Sequence, residues 1–228
     1  TVLGITAASL SFTLPAPQPA PGPTTGLASF LEGIRYIRSK PDVLGAISLD
    51  LFAVLFGGAV ALLPVYAKDI LHVGPLGLGF LRAAPAAGAL TMSLWLAHRS
   101  LGTHMGYKLF AAVAVFGVAT IVFAFSTHFW LSLAALYVLG LADMISVVIR
   151  GAFLQLETPD ALRGRVSAVN ALFIGASNQL GEFESGFTAA LFGTVPAVAL
   201  GGIGTLIVCA LWMRWFPGLL HRNRLESS

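Results

Sequence analysis

Six apolar runs, each long enough to cross a lipid bilayer, constrain the possible folds of this chain more than any other feature. They cover residues 44–66, 77–97, 108–126, 130–154, 166–192 and 196–216. A transmembrane helix needs about 20 predominantly apolar residues. A shorter apolar run at 1–14 predicts the end of a further helix. The sequence therefore predicts an all-α membrane protein with six complete transmembrane helices and part of a seventh.

The composition supports this class. Charged residues make up 10% of the chain and hydrophobic residues 57%, whereas a soluble domain usually carries about 25% charged residues. A net charge of +3 could suggest nucleic-acid binding in a soluble protein, but here the basic residues are better explained as topology signals. Cys209 lies in an apolar run and has no second cysteine to pair with, so we interpret it as a small buried residue.

The apolar runs divide the chain into four parts. Residues 1–14 are predicted to end a transmembrane helix, and 15–42 to form a cytoplasmic linker. Prolines alternating with small residues give this linker an extended start, and Gly26 to Lys40 has the spacing of a short amphipathic helix. Residues 43–216 are predicted to form a six-helix bundle, and 217–228 a cytoplasmic tail.

Lysine and arginine predict the orientation. Only Lys68 and Arg82 fall on one side of the predicted bundle, and Arg150 lies inside a span. The other ten residues fall on the opposite side: Arg35, Arg38, Lys40, Arg99, Lys108, Arg163, Arg165, Arg214, Arg222 and Arg224. Because cytoplasmic loops carry an excess of basic residues, the linker and the C-terminus are expected in the cytoplasm.

Six ionisable residues lie inside the predicted spans: Asp50, Arg82, Asp143, Arg150, Glu182 and Glu184. Such residues are energetically costly in a membrane and are usually functional. At 100° per residue, each lies on a helix face of small or polar residues. Asn178 lies beside the polar stripe that contains Glu184. We expect these faces to pack inward or to line a cavity.

Depth along the helices suggests pairings among these residues. Asp50 is expected to pair with Arg150 in the inner half of the membrane, as an ion pair or gate. Arg82 is expected to pair with Glu184 or Glu182 in the outer half. The alternative for these pairs is a structural role, in which they fix helix register without taking part in transport. Asp143, near the midplane, is the best candidate for a substrate or proton path.

The sequence contains none of the patterns that identify an enzyme or a metal protein. There is no phosphate-binding glycine loop with a lysine, no nucleophile elbow and no paired-histidine metal motif. The five histidines fall in loops or at the ends of spans. We therefore predict that the protein is not an enzyme and has no cofactor or metal.

A short charged turn separates the fourth and fifth runs and identifies a family. The turn Glu157 to Arg165, followed by Val166, resembles the loop between helices 10 and 11 in enterobactin-exporter-like permeases of the major facilitator superfamily, the transmembrane secretion effector group. The matching residues are Thr158, Pro159, Asp160, Arg163, Gly164, Arg165 and Val166. The segment Leu31 to Arg38 also resembles that group. One departure is His98, which stands where a superfamily signature has an acidic residue.

The resemblance covers nearly the whole chain as the C-terminal half of a twelve-helix transporter. It implies a bacterial cytoplasmic membrane protein that exports a small amphipathic molecule, such as a siderophore or a drug, by alternating access and usually with protons as the coupling ion. Its partners are then the lipid bilayer, the substrate and an N-terminal six-helix half. The alternative is a non-transporting membrane scaffold or a degenerate half-permease.

Overall fold

The computed structural model describes residues 26–99 and 102–221. Three of the sequence expectations fall outside these ranges: the helix end at 1–14, the proline-rich start of the linker, and the tail beyond residue 221. Within the described ranges, nine α-helices follow one another: α1 (Gly26–Ser39), α2 (Pro41–Phe56), α3 (Leu63–Val65), α4 (Pro75–His98), α5 (Met105–Phe125), α6 (Phe129–Glu157), α7 (Asp160–Phe192), α8 (Thr194–Trp215) and α9 (Pro217–Leu220).

Among residues 26–99 and 102–221, five helical segments are long and apolar enough to cross a membrane: Pro41–Ile70, Pro75–His98, Met105–Phe125, Phe129–Glu157 and Thr194–Trp215. The fifth predicted run, 166–192, lies within α7, which has 33 residues and is therefore about 50 Å long. Its two glutamates and its basic first turns lower its hydropathy, so length and composition alone do not mark it as a span. The predicted all-α membrane class is confirmed.

The first span is not a uniform helix. After α2 ends at Phe56, the chain makes a 3-10 turn over Gly58–Leu62, continues through α3, and closes with a π-helical turn over Tyr66–Ile70. Adjacent glycines and Pro64 at the start of α3 favour this interruption, because glycine lowers helix propensity and proline removes a backbone donor. Gly58, Val60 and Ala61 of this interruption line a cavity between the helices.

Prolines and one glycine set the helix ends. Pro41 and Pro75 stand in the first turns of α2 and α4, where a missing N–H costs nothing. Gly193, between α7 and α8, has φ +92°, a conformation that side-chain-bearing residues rarely adopt. The sharp turn between these two long helices therefore depends on glycine.

The bundle is organised around α6, which packs against both α4 and α5, while α2 packs against α7 and α8. Buried apolar residues form clusters between these helices. The outer faces remain apolar: Leu76 is 82% exposed and Trp130 is 76% exposed. Surfaces of this kind suit contact with lipid rather than water.

The helix α1 lies against the end of the bundle that the sequence predicts to be cytoplasmic. Its residue Ile37 joins a buried cluster with Val166 and Val169 of α7. Gly33 allows close approach, because a Cβ atom built there would lie 3.1 Å from the carbonyl oxygen of Arg165. The linker helix is thus packed onto the same turn that carries the charged motif.

Candidate functional site

A buried ion pair joins α2 to α6. The Arg150 Nη1 and Asp50 Oδ2 atoms are 2.6 Å apart, and the two side chains are 6% and 7% exposed. The sequence predicted this pair from depth alone, and the structure contains it. Removing one partner of such a pair leaves an uncompensated buried charge, which typically costs about 3–5 kcal/mol.

The helix α6 carries further polar residues on the face that bears Arg150. Asp143, Ser146 and Arg150 follow the i, i+3, i+7 spacing of one helix face. A small space between α2, α5 and α6 is lined by Asp50, Asp143 and Ser146 together with apolar residues. The two carboxylates therefore lie close to one arginine within the membrane-spanning bundle.

A cavity of about 320 Å³ lies on the other side of Asp143. The polar residues Asp143, Asn178 and Glu182 all line it, so the structure brings together three of the residues singled out from the sequence. The rest of the lining is small or apolar: Val54, Gly57, Gly58, Val60, Ala61, Pro85, Ala86, Ala89, Phe116, Leu139 and Gly140. Its walls come from the interrupted first span and from α4, α5, α6 and α7.

Glycines hold two walls of the cavity in close contact with their neighbours. A Cβ atom built on Gly140 of α6 would lie 2.0 Å from the Pro85 carbonyl oxygen of α4. A Cβ atom on Gly58 would lie 2.6 Å from the Gly181 carbonyl oxygen of α7. These helices approach backbone to backbone, as small residues allow in membrane bundles. The cavity shape therefore depends on positions that only glycine can occupy.

The predicted pairing of Arg82 with Glu184 or Glu182 is wrong. Arg82 is exposed, and no salt bridge within 4.0 Å involves it in the part of the chain that the structure describes. Glu184 instead accepts a hydrogen bond from Thr188 Oγ1 at 2.8 Å within α7. The physical reason is the packing: α4 contacts α6, and α7 contacts α2 and α8, so the cavity separates the two helices that carry the proposed partners.

The charged motif forms the turn between α6 and α7. Thr158 is buried, and Pro159 precedes the first residue of α7. Arg163 Nε donates to the carbonyl oxygens of Gln155 and Thr158, at 2.9 and 3.2 Å. Arg163 Nη1 also lies 2.7 Å from Asp160 Oδ1. Arg163 thus satisfies carbonyl groups left unpaired at the end of α6.

The motif also anchors α1. Arg165 Nη1 lies 2.5 Å from Glu32 Oε2, and the Tyr36 hydroxyl donates to the Glu157 carbonyl oxygen. Burial raises the pKa of the Tyr36 phenol, and the nearby Glu157 carboxylate adds to this shift, so the hydroxyl keeps the proton that it donates. The sequence did not predict these contacts, because 133 residues separate Glu32 from Arg165 and no local pattern relates them.

His98, at the departure from the superfamily signature, interacts with its own helix. Its ring Nδ1 lies 2.8 Å from the Leu94 carbonyl oxygen. His98 ends α4, and Arg99 follows it in an extended conformation. The neighbouring residues 100 and 101 lie outside the described part of the chain.

Comparisons with known proteins agree with this architecture. The sequence of residues 1–182 matches the family model of the Major Facilitator Superfamily. The enterobactin exporter EntS of Escherichia coli is 25% identical over 207 residues, which cover 91% of this chain and 49% of that protein. The enterobactin exporter EntS of Citrobacter koseri is 25% identical over 210 residues, covering 92% of this chain and 49% of that protein. No solved structure gives a significant match.

These findings confirm the family that the charged turn indicated. The chain spans about half the length of the curated relatives it matches. The family match covers most of the chain, including the interrupted first span, the ion pair and the cavity residues up to Glu182. This protein is therefore a multi-pass membrane protein that belongs to the major facilitator superfamily, with enterobactin exporters among its relatives.

Proposed function

We propose that this protein is part of a secondary active transporter that exports a small amphipathic molecule, of the siderophore or drug-like kind. The observation that carries the proposal is the cavity of about 320 Å³, in which Asp143, Asn178 and Glu182 lie among small and apolar residues. Ligand sites of this kind combine an apolar lining with a few polar groups that orient the ligand. The relatives in Escherichia coli and Citrobacter koseri are named as exporters, which supports the direction of transport.

The proposed mechanism is alternating access coupled to protons. Asp143 lies between the cavity and the small space that contains Asp50. In this mechanism the Asp143 carboxylate takes up a proton when the cavity is open to one side of the membrane and releases it when the cavity is open to the other side. The Asp50–Arg150 pair holds α2 against α6 while access to the cavity changes from one side of the membrane to the other. The interrupted helix beside the cavity supports this mechanism, because discontinuous helices commonly form transporter binding sites.

The transporting unit is proposed to include a second six-helix half. The cavity residue Asp143 lies on one face of α6, and Asn178 and Glu182 lie on one face of α7. The proposed partner half covers these two faces across a central pathway. In this arrangement α1 belongs to the cytoplasmic linker between the halves, and the basic turn Arg163 to Arg165 lies at the cytoplasmic face of a bacterial inner membrane. The positive charge of that side supports the orientation.

The test is export from membrane vesicles. Inverted vesicles that contain the intact transporter are supplied with a panel of siderophores and amphipathic drugs, and accumulation is measured with and without a protonophore. The proposal predicts accumulation of at least one compound that the protonophore abolishes. Folded protein that accumulates none of the compounds, or accumulates them equally with the protonophore, contradicts it.

A further inference from the structure

A second cavity opens on the outside of the bundle. The helices α4 and α5 both pack on α6 but make few direct contacts with each other, which leaves a groove of about 420 Å³ with α6 as its floor. We call this the α4–α5 groove. Its lining includes Trp95, Lys108, Ala111, Ala112, Val115 and Ala142.

The α4–α5 groove is short enough to lie within one leaflet of the membrane. Along α5 it runs from Lys108, in the first turn of the helix, to Val115 near its middle. Seven residues of helix correspond to about 10 Å, and one leaflet contributes about half of the roughly 30 Å hydrocarbon core. A groove that starts at the Lys108 end of α5 therefore extends through about two thirds of one leaflet.

The lining fits a hydrocarbon chain with a negative charge at one end. Lys108 is the only charged residue of the lining, and every other side chain is apolar. The Lys108 ammonium lies at the level of the α4–α5 connection, because a Cβ atom built on Gly102 would be 4.0 Å from its Nζ. Trp95, 53% exposed, lines the groove near the same end, where tryptophan commonly marks the membrane–water interface.

The orientation predicted from lysine and arginine places this end at the cytoplasmic leaflet. Arg99 caps α4 there, one turn beyond Trp95. The cytoplasmic leaflet of a bacterial membrane carries anionic phospholipids, and basic pockets between transmembrane helices on that side bind anionic head groups. Charge complementarity therefore favours an anionic lipid over a zwitterionic lipid or a second copy of this chain.

We propose that the α4–α5 groove binds an anionic phospholipid, with one acyl chain along Ala111 and Val115 and the phosphate beside the Lys108 ammonium. The opposite side of α6 faces the polar cavity through Gly140 and Asp143. The groove thus provides a lipid site separate from the proposed transport pathway, and this proposal does not depend on transport activity.

The position of the groove gives the bound lipid a structural role. Ala112 and Ala142 line the groove and also line the small space that contains Asp50 and Asp143. These two alanines therefore form part of the wall between the groove and the small space. An acyl chain in the groove covers the outer side of this wall with hydrocarbon.

Quenching of Trp95 fluorescence tests the site directly. The purified protein is placed in phosphatidylcholine nanodiscs, and phosphatidylglycerol with brominated acyl chains is added at increasing mole fraction. The Trp95 contribution is the difference between wild type and Trp95→Phe. Brominated phosphatidylglycerol should quench this contribution at a mole fraction several times lower than brominated phosphatidylcholine.

Two variants separate the contributions of charge and groove. Lys108→Gln should raise the half-quenching mole fraction of phosphatidylglycerol about fivefold, since a lysine near anionic lipid contributes about 1 kcal/mol. Ala111→Leu, which fills the groove, should reduce quenching by either lipid. The matched controls are Arg214→Gln, a basic residue at the end of α8, and Ala134→Leu, an exposed alanine in a groove at the other end of α4 and α6.

Three results would overturn the proposal. The first is equal quenching by the two brominated lipids in wild type, which indicates an ordinary lipid contact. The second is unchanged lipid selectivity in Lys108→Gln. The third is an effect of Ala134→Leu on Trp95 quenching as large as that of Ala111→Leu. Circular dichroism and gel filtration of each variant confirm that a lost signal does not come from unfolding.

Discussion

Arg150 and Asp50 form an ion pair across the interface of α6 and α2, with 2.6 Å between Nη1 and Oδ2 and both side chains almost fully buried. Arg150 lies two helical turns from the cavity-lining Asp143, along the same face of α6. Because a buried pair gains little net free energy over apolar residues, its main effect is to fix how α2 and α6 meet.

The first prediction concerns this pair. Arg150→Met or Asp50→Leu alone should lower the free energy of unfolding by about 3–5 kcal/mol, because each leaves one buried charge without a partner. The double variant should recover most of that loss. Thermal unfolding in detergent is monitored as the loss of the monodisperse gel-filtration peak. The midpoint is measured for wild type, the two single variants and the double variant. Additive losses in the double variant would show that the two charges do not stabilise each other.

The second prediction concerns the contact of α4 with α6. Gly140→Ala places a methyl group against the Pro85 carbonyl oxygen, 2.0 Å away before relaxation, and should destabilise the protein by about 1–3 kcal/mol. Gly175→Ala is the matched control, since nothing lies within 4 Å of its Cβ position in α7. The control should be neutral or slightly stabilising, because alanine favours helix. Equal thermal midpoints for the two variants would contradict the close packing of α4 on α6.

The third prediction concerns the anchoring of α1. Glu32→Lys should release α1 from the charged turn, because it places two cations where Glu32 and Arg165 are 2.5 Å apart. The charge-reversed double variant Glu32→Lys with Arg165→Glu should restore the contact. Since both side chains are partly exposed, the effect should be at most about 1 kcal/mol. Hydrogen exchange of the α1 amides measures it, and wild-type protection in Glu32→Lys would contradict the anchoring role.

The fourth prediction follows from the missing pair. Arg82 and Glu184 belong to helices on opposite sides of the cavity, so Arg82→Ala and Glu184→Gln should act independently on stability. Their combined effect should equal the sum of the single effects within about 0.5 kcal/mol. Thermal unfolding of the two single variants and the double variant checks this. If the double variant were more stable than either single variant, Arg82 and Glu184 would interact directly, which would contradict the packing described for α4 and α7.

The sequence predicts the features that depend on local composition. Apolar runs predict the spans, and the spacing of Asp143, Ser146 and Arg150 predicts their common face. Depth along each helix was enough to pair Asp50 with Arg150, because α2 and α6 are in contact. The same reasoning failed for Arg82 and Glu184, because depth does not say which helices are neighbours.

Two further features could not be predicted from the sequence, because they depend on tertiary packing. The contact of Arg165 with Glu32 joins segments that are far apart in the chain, and it exists only because α1 packs on α7. The close approach of Gly140 to Pro85 likewise depends on the crossing of α4 and α6. Glycines in these apolar runs were visible in the sequence, but their partners were not.

The direct test of proton coupling is a comparison of two fluxes in the Asp143→Asn variant. Vesicles with the intact transporter are measured for accumulation driven by a proton gradient and for exchange of substrate without a gradient. Asp69→Asn, at an exposed carboxylate in the π-helical turn that ends the first span, is the matched control. We predict that Asp143→Asn loses gradient-driven accumulation while its expression stays at the wild-type level, and that Asp69→Asn retains both fluxes. Wild-type gradient-driven accumulation in Asp143→Asn would contradict the assignment of Asp143 to the proton path.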